Sequence, residues 1–468
     1  MSIPTNLKRG LNLFDSTTIV IGSMIGSGIF IVSSEMARVL GSPKWLLFAW
    51  LLTGIVTIIA ALSYGELASM FPQAGGQYVY LREAYGRPVG FLYGWTLFAV
   101  IQTGGIAAIC VAFSKFTGVI FPFISHSNWI VKFFSSSHYT IGINTENLLA
   151  ILTLVFLAWI NTRGLEAGKL IQNVFTVTKV IAIIGLILLG LSVGRNIGAV
   201  TSNFQNLFSP VDIKHAIYFL PVLGAAMVGS LFSSESWNNI TFTAGEVINP
   251  KKNIPLSLLI GVLSVTIIYL LVNISYLCVL PLSGIQHAPG DRVATAVMGT
   301  IFGKNSAQIM ALLIMISAFG CANGMTLAGA RVYYAMAKDN LFFKFAEKTN
   351  KNLVPANALI MQCAWACVLC LSGTYHNLLD YIIFSVLVFY VLTVSGIFIL
   401  RIKKPNLERP YKAIGYPFFP LLYILFAALL AVDLLIFKPN YTWPGLFIVL
   451  LGIPIYLLWG KKSRGVAN

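Results

Sequence analysis

Polar positions are sparse along this chain, and between them lie apolar runs near 15–40, 44–70, 89–120, 147–162, 168–193, 213–248, 255–280, 306–336, 356–373, 377–400, 417–437 and 443–459. Most are close to the roughly 17–25 residues with which a helix crosses a bilayer. The pattern therefore predicts an all-α polytopic membrane protein of twelve transmembrane helices. The longest polar stretches, about 121–146 and 281–305, leave no room for a soluble catalytic domain. Two runs break the pattern. The first contains GSMIGSGIF, Gly22 to Phe30, with three glycines at its centre. The sixth, 213–248, is too long for one straight crossing at about 1.5 Å per residue and is interrupted by LFSSESWNN, Leu231 to Asn239.

Gly22 and Gly26 have the four-residue spacing of close helix packing, but Gly28 lies nearly on the opposite side of such a helix. With Ser27 between the glycines, an unwound turn is the better reading. A break there exposes amide donors at the start of a second half-helix, where the positive end of the helix dipole favours a carboxylate. In the sixth run, Ser233, Ser234, Glu235 and Ser236 are four consecutive polar residues and cannot share one helix face. An unwound turn avoids turning some of them to lipid, and its carbonyls can accept from an ammonium group. Phe232 and Trp237 flank it as an apolar gate and wall. Donors for a carboxylate beside acceptors for an amine describe a site for an α-amino acid.

Interrupted helices at corresponding places in two five-helix halves point to the midplane site of a carrier with inverted repeats. The expected organisation is an N-terminal tail 1–14, a first repeat 15–193, a second repeat 213–400, two accessory helices within 417–459 and a tail 460–468. Lys179, in VFTVTKVIAII, sits deep in the fifth run, where an ionised side chain costs about 3 kcal/mol or more. It is expected to brace the first run or to carry a proton. Asn323 either lines the site or bonds between helices, and Glu66 and Glu246 are expected at the membrane interface. Glu235, near mid-membrane, either faces the cavity ionised or is bonded within the break as the neutral acid, the second reading being preferred.

Composition agrees: of 468 residues, 57% are hydrophobic and only 10% charged, with a mean hydropathy of +0.82. The net charge of +16 does not mark a nucleic-acid binder, because the basic residues form no patch with interleaved aromatics. They sort by loop instead. With the N-terminus inside, 21 of the 31 Lys and Arg lie on the cytoplasmic side and nine outside, which predicts that both termini are cytoplasmic. The six cysteines all fall in apolar runs, so neither an extracellular disulfide nor a metal site is expected. His126, His138, His215, His287 and His376 lie in loops or span ends without catalytic partners, and no phosphate-binding loop is present. No enzyme activity, cofactor or metal is expected. The first apolar run is too long for a signal peptide.

Motifs in order along the chain carry a resemblance: MIGSGIF at 24–30, PQAGGQYVYLREAYG at 72–86, the lysine of VTKV, LFSSESWNN at 231–239, GEVINPKKNIPLS at 245–257, GCANG at 320–324, ARVYYAMAKD at 330–339 and RIKKPNLERPYKAIGYP at 401–417. Together these resemble the amino acid-polyamine-organocation (APC) superfamily, in its L-amino acid transporter (LAT) branch with bacterial exchangers. The resemblance implies the LeuT-like fold, a five-plus-five inverted repeat with discontinuous helices 1 and 6 and two extra helices. It implies that Ile25, Gly26, Ser27 and Gly28 meet substrate, that Phe232, Ser233 and Glu235 offer backbone carbonyls, that Asn323 is a pocket position, and that Lys179 stands where sodium-coupled relatives hold a sodium ion. Two departures stand out. Glu235-Ser236 replaces the Gly-Gly or Asp-Gly of many relatives, and the loop after the third span lacks the cysteine by which animal relatives attach a glycoprotein, so no disulfide-linked subunit is expected.

The expectation is a sodium-independent exchanger of neutral L-amino acids in the plasma membrane, such as the bacterial inner membrane, working by alternating access amid membrane lipids. The alternative is proton-coupled uptake. A channel would need a continuous polar pore, which the apolar eighth and tenth spans do not offer.

Overall fold

The computed structural model describes residues 7–464 except 136–139, 206–212, 304–305, 373–374 and 438. Residues 1–6 and 465–468 of the two expected tails, and His138, lie outside the described residues. The fold is helical apart from one feature that the apolar pattern did not predict. Within the loop 121–146, β1 (Trp129–Ser135) pairs antiparallel with β2 (Thr140–Asn144). The β-branched and aromatic residues of WIVKFFS and TIGIN suit a strand pair.

The first apolar run forms two helices, α1 (Leu13–Met24) and α2 (Val32–Leu40), separated by Ile25–Ser27 and a 3-10 turn, Gly28–Phe30. A capping box starts α1: Asn12 Oδ1 accepts from the Asp15 amide at 2.9 Å, and Asp15 Oδ2 accepts from the Asn12 amide at 3.1 Å. Then follow α3 (Pro43–Met70), α4 (Gln77–Tyr85), α5 (Arg87–Ile120), α6 (Thr145–Thr162) and α7 (Leu165–Leu191). The sixth run forms α8 (Ile213–Ser233), an open stretch and the single turn α9 (Asn239–Phe242). The remaining long helices are α10 (Pro250–Val279), α11 (Ser306–Lys338), α12 (Ala356–Ser372), α13 (Tyr375–Lys403), α14 (Phe418–Phe437) and α15 (Pro439–Arg464). Proline at the first turn of α3 and α10 sets their starts, where its missing N–H costs nothing.

Among the described residues, nine helices are long and apolar enough to cross a membrane, so the chain is a polytopic membrane protein. The three other expected spans are the broken first and sixth and the 17-residue α12. Large apolar side chains on the outer faces, such as Leu170, Ile181, Leu188 and Leu429, are exposed as lipid contact requires.

Glu66 and Glu246, at span ends, are fully buried within the protein, each 1% exposed. Arg401 donates to both Glu66 oxygens at 3.0 and 2.7 Å, and the Ala413 amide adds a third bond at 2.8 Å. Arg331 grips Glu246 in the same forked way, at 2.9 Å twice. The arginines lie 335 and 85 positions along the chain, which loop-by-loop counting of charges cannot reveal. The backbone of Gly10 and Leu11 also bonds to Glu246 O, and Ile248 N to Leu11 O, tying the entry to α1 to the exit of the sixth run.

Candidate functional site

The end of α1 leaves carbonyls that no helical N–H can reach, and side chains from three other helices take them up. Lys179 Nζ of α7 donates to Gly22 O and Ile25 O, both at 2.6 Å. Ser317 Oγ of α11 donates to Ile25 O at 3.1 Å and Gly26 O at 3.0 Å, and Cys321 Sγ to Ser23 O at 2.9 Å. The Tyr269 hydroxyl of α10 lies 3.1 Å from Met24 O and 2.8 Å from Ser233 O, so one group touches both helix breaks. This is a built opening: every carbonyl from Gly22 to Gly26 has a side-chain donor within reach, the single protons of Tyr269 and Ser317 each being shared between two acceptors.

The two breaks meet at Gly28. A Cβ on that glycine would lie 2.3 Å from Ser233 Oγ and 3.3 Å from Ser233 Cα, so only glycine allows the approach. Gly22 instead permits close packing against the neighbouring helix, since a Cβ there would strike Gln172 and Thr176 of α7 at 1.9 and 2.3 Å. At Gly26 the nearest atom, Cys321 Sγ, is 3.4 Å away, an ordinary contact.

In the second break the helix stops after Ser233, and Ser236 takes φ 68°. That left-handed conformation costs a non-glycine residue about 1–2 kcal/mol, so the position where many relatives are expected to carry glycine does require glycine-like backbone here. The Ser236 hydroxyl donates to Glu235, recovering part of that cost. The other carboxylate oxygen of Glu235 accepts from the Tyr390 hydroxyl at 3.0 Å. Glu235 is thus bonded within the break, and its carboxyl also borders the cavity. Of the expected carbonyl acceptors, Ser233 O already accepts from Tyr269, and Phe232 O accepts from the Glu235 amide at 3.2 Å, each with a second lone pair.

A cavity of ≈ 20 Å³ lies between the breaks, bordered by Gly26, Ser27, Gly28, Phe232, Ser233 and Glu235. That is room for about one water molecule, so the structure is of a closed site. Ile101, Ile109, Met325 and Ile382 make the opposite wall apolar. The sequence reading missed Ser23, whose buried Oγ borders the cavity without a hydrogen-bond partner. It also missed Tyr269, Ser317 and Cys321. Ser23 lies inside the glycine motif and could have been found; the others carry no local signal.

Two expected residues stand apart. Trp237 is buried edge-on against Tyr64, with ring centroids 4.7 Å apart, behind the break. Asn323 does not border the cavity: its Nδ2 donates to Gly168 O at 3.0 Å and Gln172 Oε1 at 3.1 Å, and its Oδ1 accepts from Asn161 at 2.9 Å. Of the two readings for Asn323, the geometry matches the one that bridges helices, here α6, α7 and α11.

At the end of the bundle that holds Glu66 and Glu246, a wide basin of ≈ 610 Å³ is bordered by Arg82, Glu83, Arg87, Lys338, Asp339 and Lys404. Arg82 pairs with Asp339 and Glu83, and Lys404 with Glu83 at 2.5 Å. Burial alone would push the Glu83 carboxyl up, but bonds from Lys404 and Arg82 hold it below the usual carboxylate range.

Comparison with known proteins agrees with this architecture. The sequence profile of the family described as amino acid permease matches residues 11–457. The serine/threonine exchanger SteT of Bacillus subtilis (strain 168) is 30% identical over 462 residues, 98% of this chain and 98% of its own length. The large neutral amino acids transporter small subunit 2 of Mus musculus is 29% identical, over 98% of this chain and 83% of its length. The b(0,+)-type amino acid transporter 1 of Mus musculus is 28% identical, over 99% of this chain and 90% of its length. With the profile covering almost the whole chain, this protein belongs to the amino acid permease family of membrane transporters, within the amino acid-polyamine-organocation superfamily.

Proposed function

We propose that this transporter is a sodium-independent exchanger of neutral L-amino acids that works by alternating access. The observation that carries the reading is the pair of helix breaks facing each other across a closed cavity. Amide groups at the start of the Gly28–Phe30 turn suit a substrate carboxylate, and the carbonyls and Glu235 of the second break suit its ammonium group. The apolar wall of Ile101, Ile109, Met325 and Ile382 favours an uncharged side chain. Lys179, already holding Gly22 O and Ile25 O, supplies a fixed positive charge where a coupling cation would otherwise be needed. The names of the relatives, a serine/threonine exchanger and a large neutral amino acids transporter among them, favour the same substrate class.

The fold within this reading is twelve spans, in two inverted repeats, 15–193 and 213–400, followed by two accessory helices. Packing supports it: α3 lies along α10, α5 along α11 and α6 along α12, so second, third and fourth spans pair with seventh, eighth and ninth. The protein would sit in the plasma membrane without a disulfide-linked subunit, with both termini cytoplasmic and the basin around Arg82 opening to the cytoplasm.

The test is uptake of labelled neutral amino acids into liposomes holding the purified protein. Internal unlabelled amino acid should accelerate uptake several-fold and choline should replace sodium without effect; acceleration by sodium, or an ionic conductance in place of saturable uptake, would reject the reading. Orientation has its own check. Cysteines introduced at Lys251 and Lys404 should react with impermeant reagents only from the cytoplasmic side, and labelling from outside would reverse the topology.

A further inference from the structure

Glu235 borders not one cavity but three, of ≈ 20, ≈ 30 and ≈ 10 Å³, and among their described walls it is the one charged side chain. The first is the site between the helix breaks. The second extends toward α13 and α14, beside Tyr390 and Tyr423. The third reaches Asn238 and Gln77, whose amides bond to each other at 3.0 Å. Gln77 is the first residue of α4, and Val79 and Arg82 of that same helix border the open basin. The Glu235 carboxyl and the basin thus flank the same short helix.

The titratable groups that border these cavities with Glu235 are the hydroxyls of Tyr93, Tyr390 and Tyr423 and the thiol of Cys321. None can supply a positive charge. Lys179 is committed to the carbonyls of Gly22 and Ile25, and the arginines of Glu66 and Glu246 belong to those carboxylates. In a closed and empty site an ionised Glu235 would therefore be a charge at membrane depth with no cation beside it, held by neutral donors of Ser236 and Tyr390. A bound amino acid changes this balance, because its ammonium group enters the same cavity.

We propose that the site closes only with one positive charge beside Glu235: the substrate's ammonium group on the loaded leg of the cycle, and a proton on the carboxylate on the empty leg. This deepens the transport reading and rests on it. On the empty leg a carboxylate oxygen takes a proton from water and an O–H bond forms. When substrate enters, that bond breaks, the proton returns to water, and the ammonium group replaces it. Net transport then moves one proton one way for each neutral amino acid moved the other. Exchange, loaded on both legs, moves none.

The direct test uses the native protein in weakly buffered detergent solution with a pH-sensitive dye. Adding a neutral amino acid should release close to one proton per substrate bound, with binding followed by calorimetry. In liposomes, an acid interior should accelerate uptake into vesicles lacking internal amino acid, while uptake into preloaded vesicles should be insensitive to the gradient. Glu235→Gln should bind without releasing a proton and lose the response of net uptake to the gradient, and Glu235→Asp should keep both. Binding to the native protein without proton release, stimulation by an acid exterior, or a retained gradient response in Glu235→Gln would each overturn the proposal. Exchange in preloaded vesicles separates the two levels: exchange without proton release rejects this inference alone, and absence of any exchange rejects the transport reading beneath it.

Discussion

Gly28→Val is expected to lower substrate affinity roughly 100-fold while the protein still inserts in the membrane. The cause is local. A Cβ at this position would sit 2.3 Å from Ser233 Oγ, which is itself held by a hydrogen bond to Gly229 O at 2.9 Å, and 3.3 Å from Ser233 Cα. The serine hydroxyl could rotate away from a single added atom; the backbone behind it could not. A β-branched side chain adds two further carbons with one preferred rotamer, and overpacking of this kind costs about 1–3 kcal/mol or more, up to roughly 150-fold in affinity. The two breaks would be wedged apart, separating the amide donors from the carbonyl acceptors. Gly26→Ala is the matched comparison, since its Cβ would meet only Cys321 Sγ at 3.4 Å, and its loss should be much smaller. The measurement is binding of a neutral amino acid to purified, monodisperse protein, and normal affinity in Gly28→Val would place the site elsewhere.

The breaks themselves were legible because both violate a strong local rule. Three glycines in a spanning run, and four consecutive polar residues in another, have no comfortable place in a lipid-facing helix, and each falls where the helix opens. Lys179 was legible for the same reason: a buried ammonium must have acceptors, and a broken helix supplies them. What could not be read is how the openings are held. Tyr269, Ser317 and Cys321 are unremarkable residues in apolar runs, and their importance comes from tertiary packing that sets each beside a carbonyl freed by the break. Asn323 shows the converse. A polar residue in a membrane helix signals that it has partners without saying which, and here they are Asn161, Gly168 and Gln172 rather than the cavity. The partners of Glu66 and Glu246 were equally hidden: charges at span ends usually reach water, whereas these two meet arginines brought in from distant segments.

Lys179→Ala is expected to lose most exchange activity, at least tenfold, and the native protein to be indifferent to replacement of sodium by choline. Both halves follow from the two bonds of the ammonium group to Gly22 O and Ile25 O, each 2.6 Å long. Hydrogen bonds from a charged donor contribute about 1.5–3 kcal/mol, and the two carbonyls differ in what remains after truncation. Ile25 O keeps Ser317 Oγ at 3.1 Å, whereas no other side chain of this set reaches Gly22 O. The lower half of the break would therefore loosen first, where α1 ends, and the amides of Gly26 to Gly28 would lose their fixed direction toward a substrate carboxylate. A site whose positive charge is covalently attached needs no cation from solution, which is why sodium should not matter to the native protein. Initial rates of exchange in liposomes, compared in sodium and choline for the native protein and for Lys179→Ala, decide the assignment. Strict sodium dependence of the native protein, or full activity in the alanine variant, would show that Lys179 does not hold this end of the site.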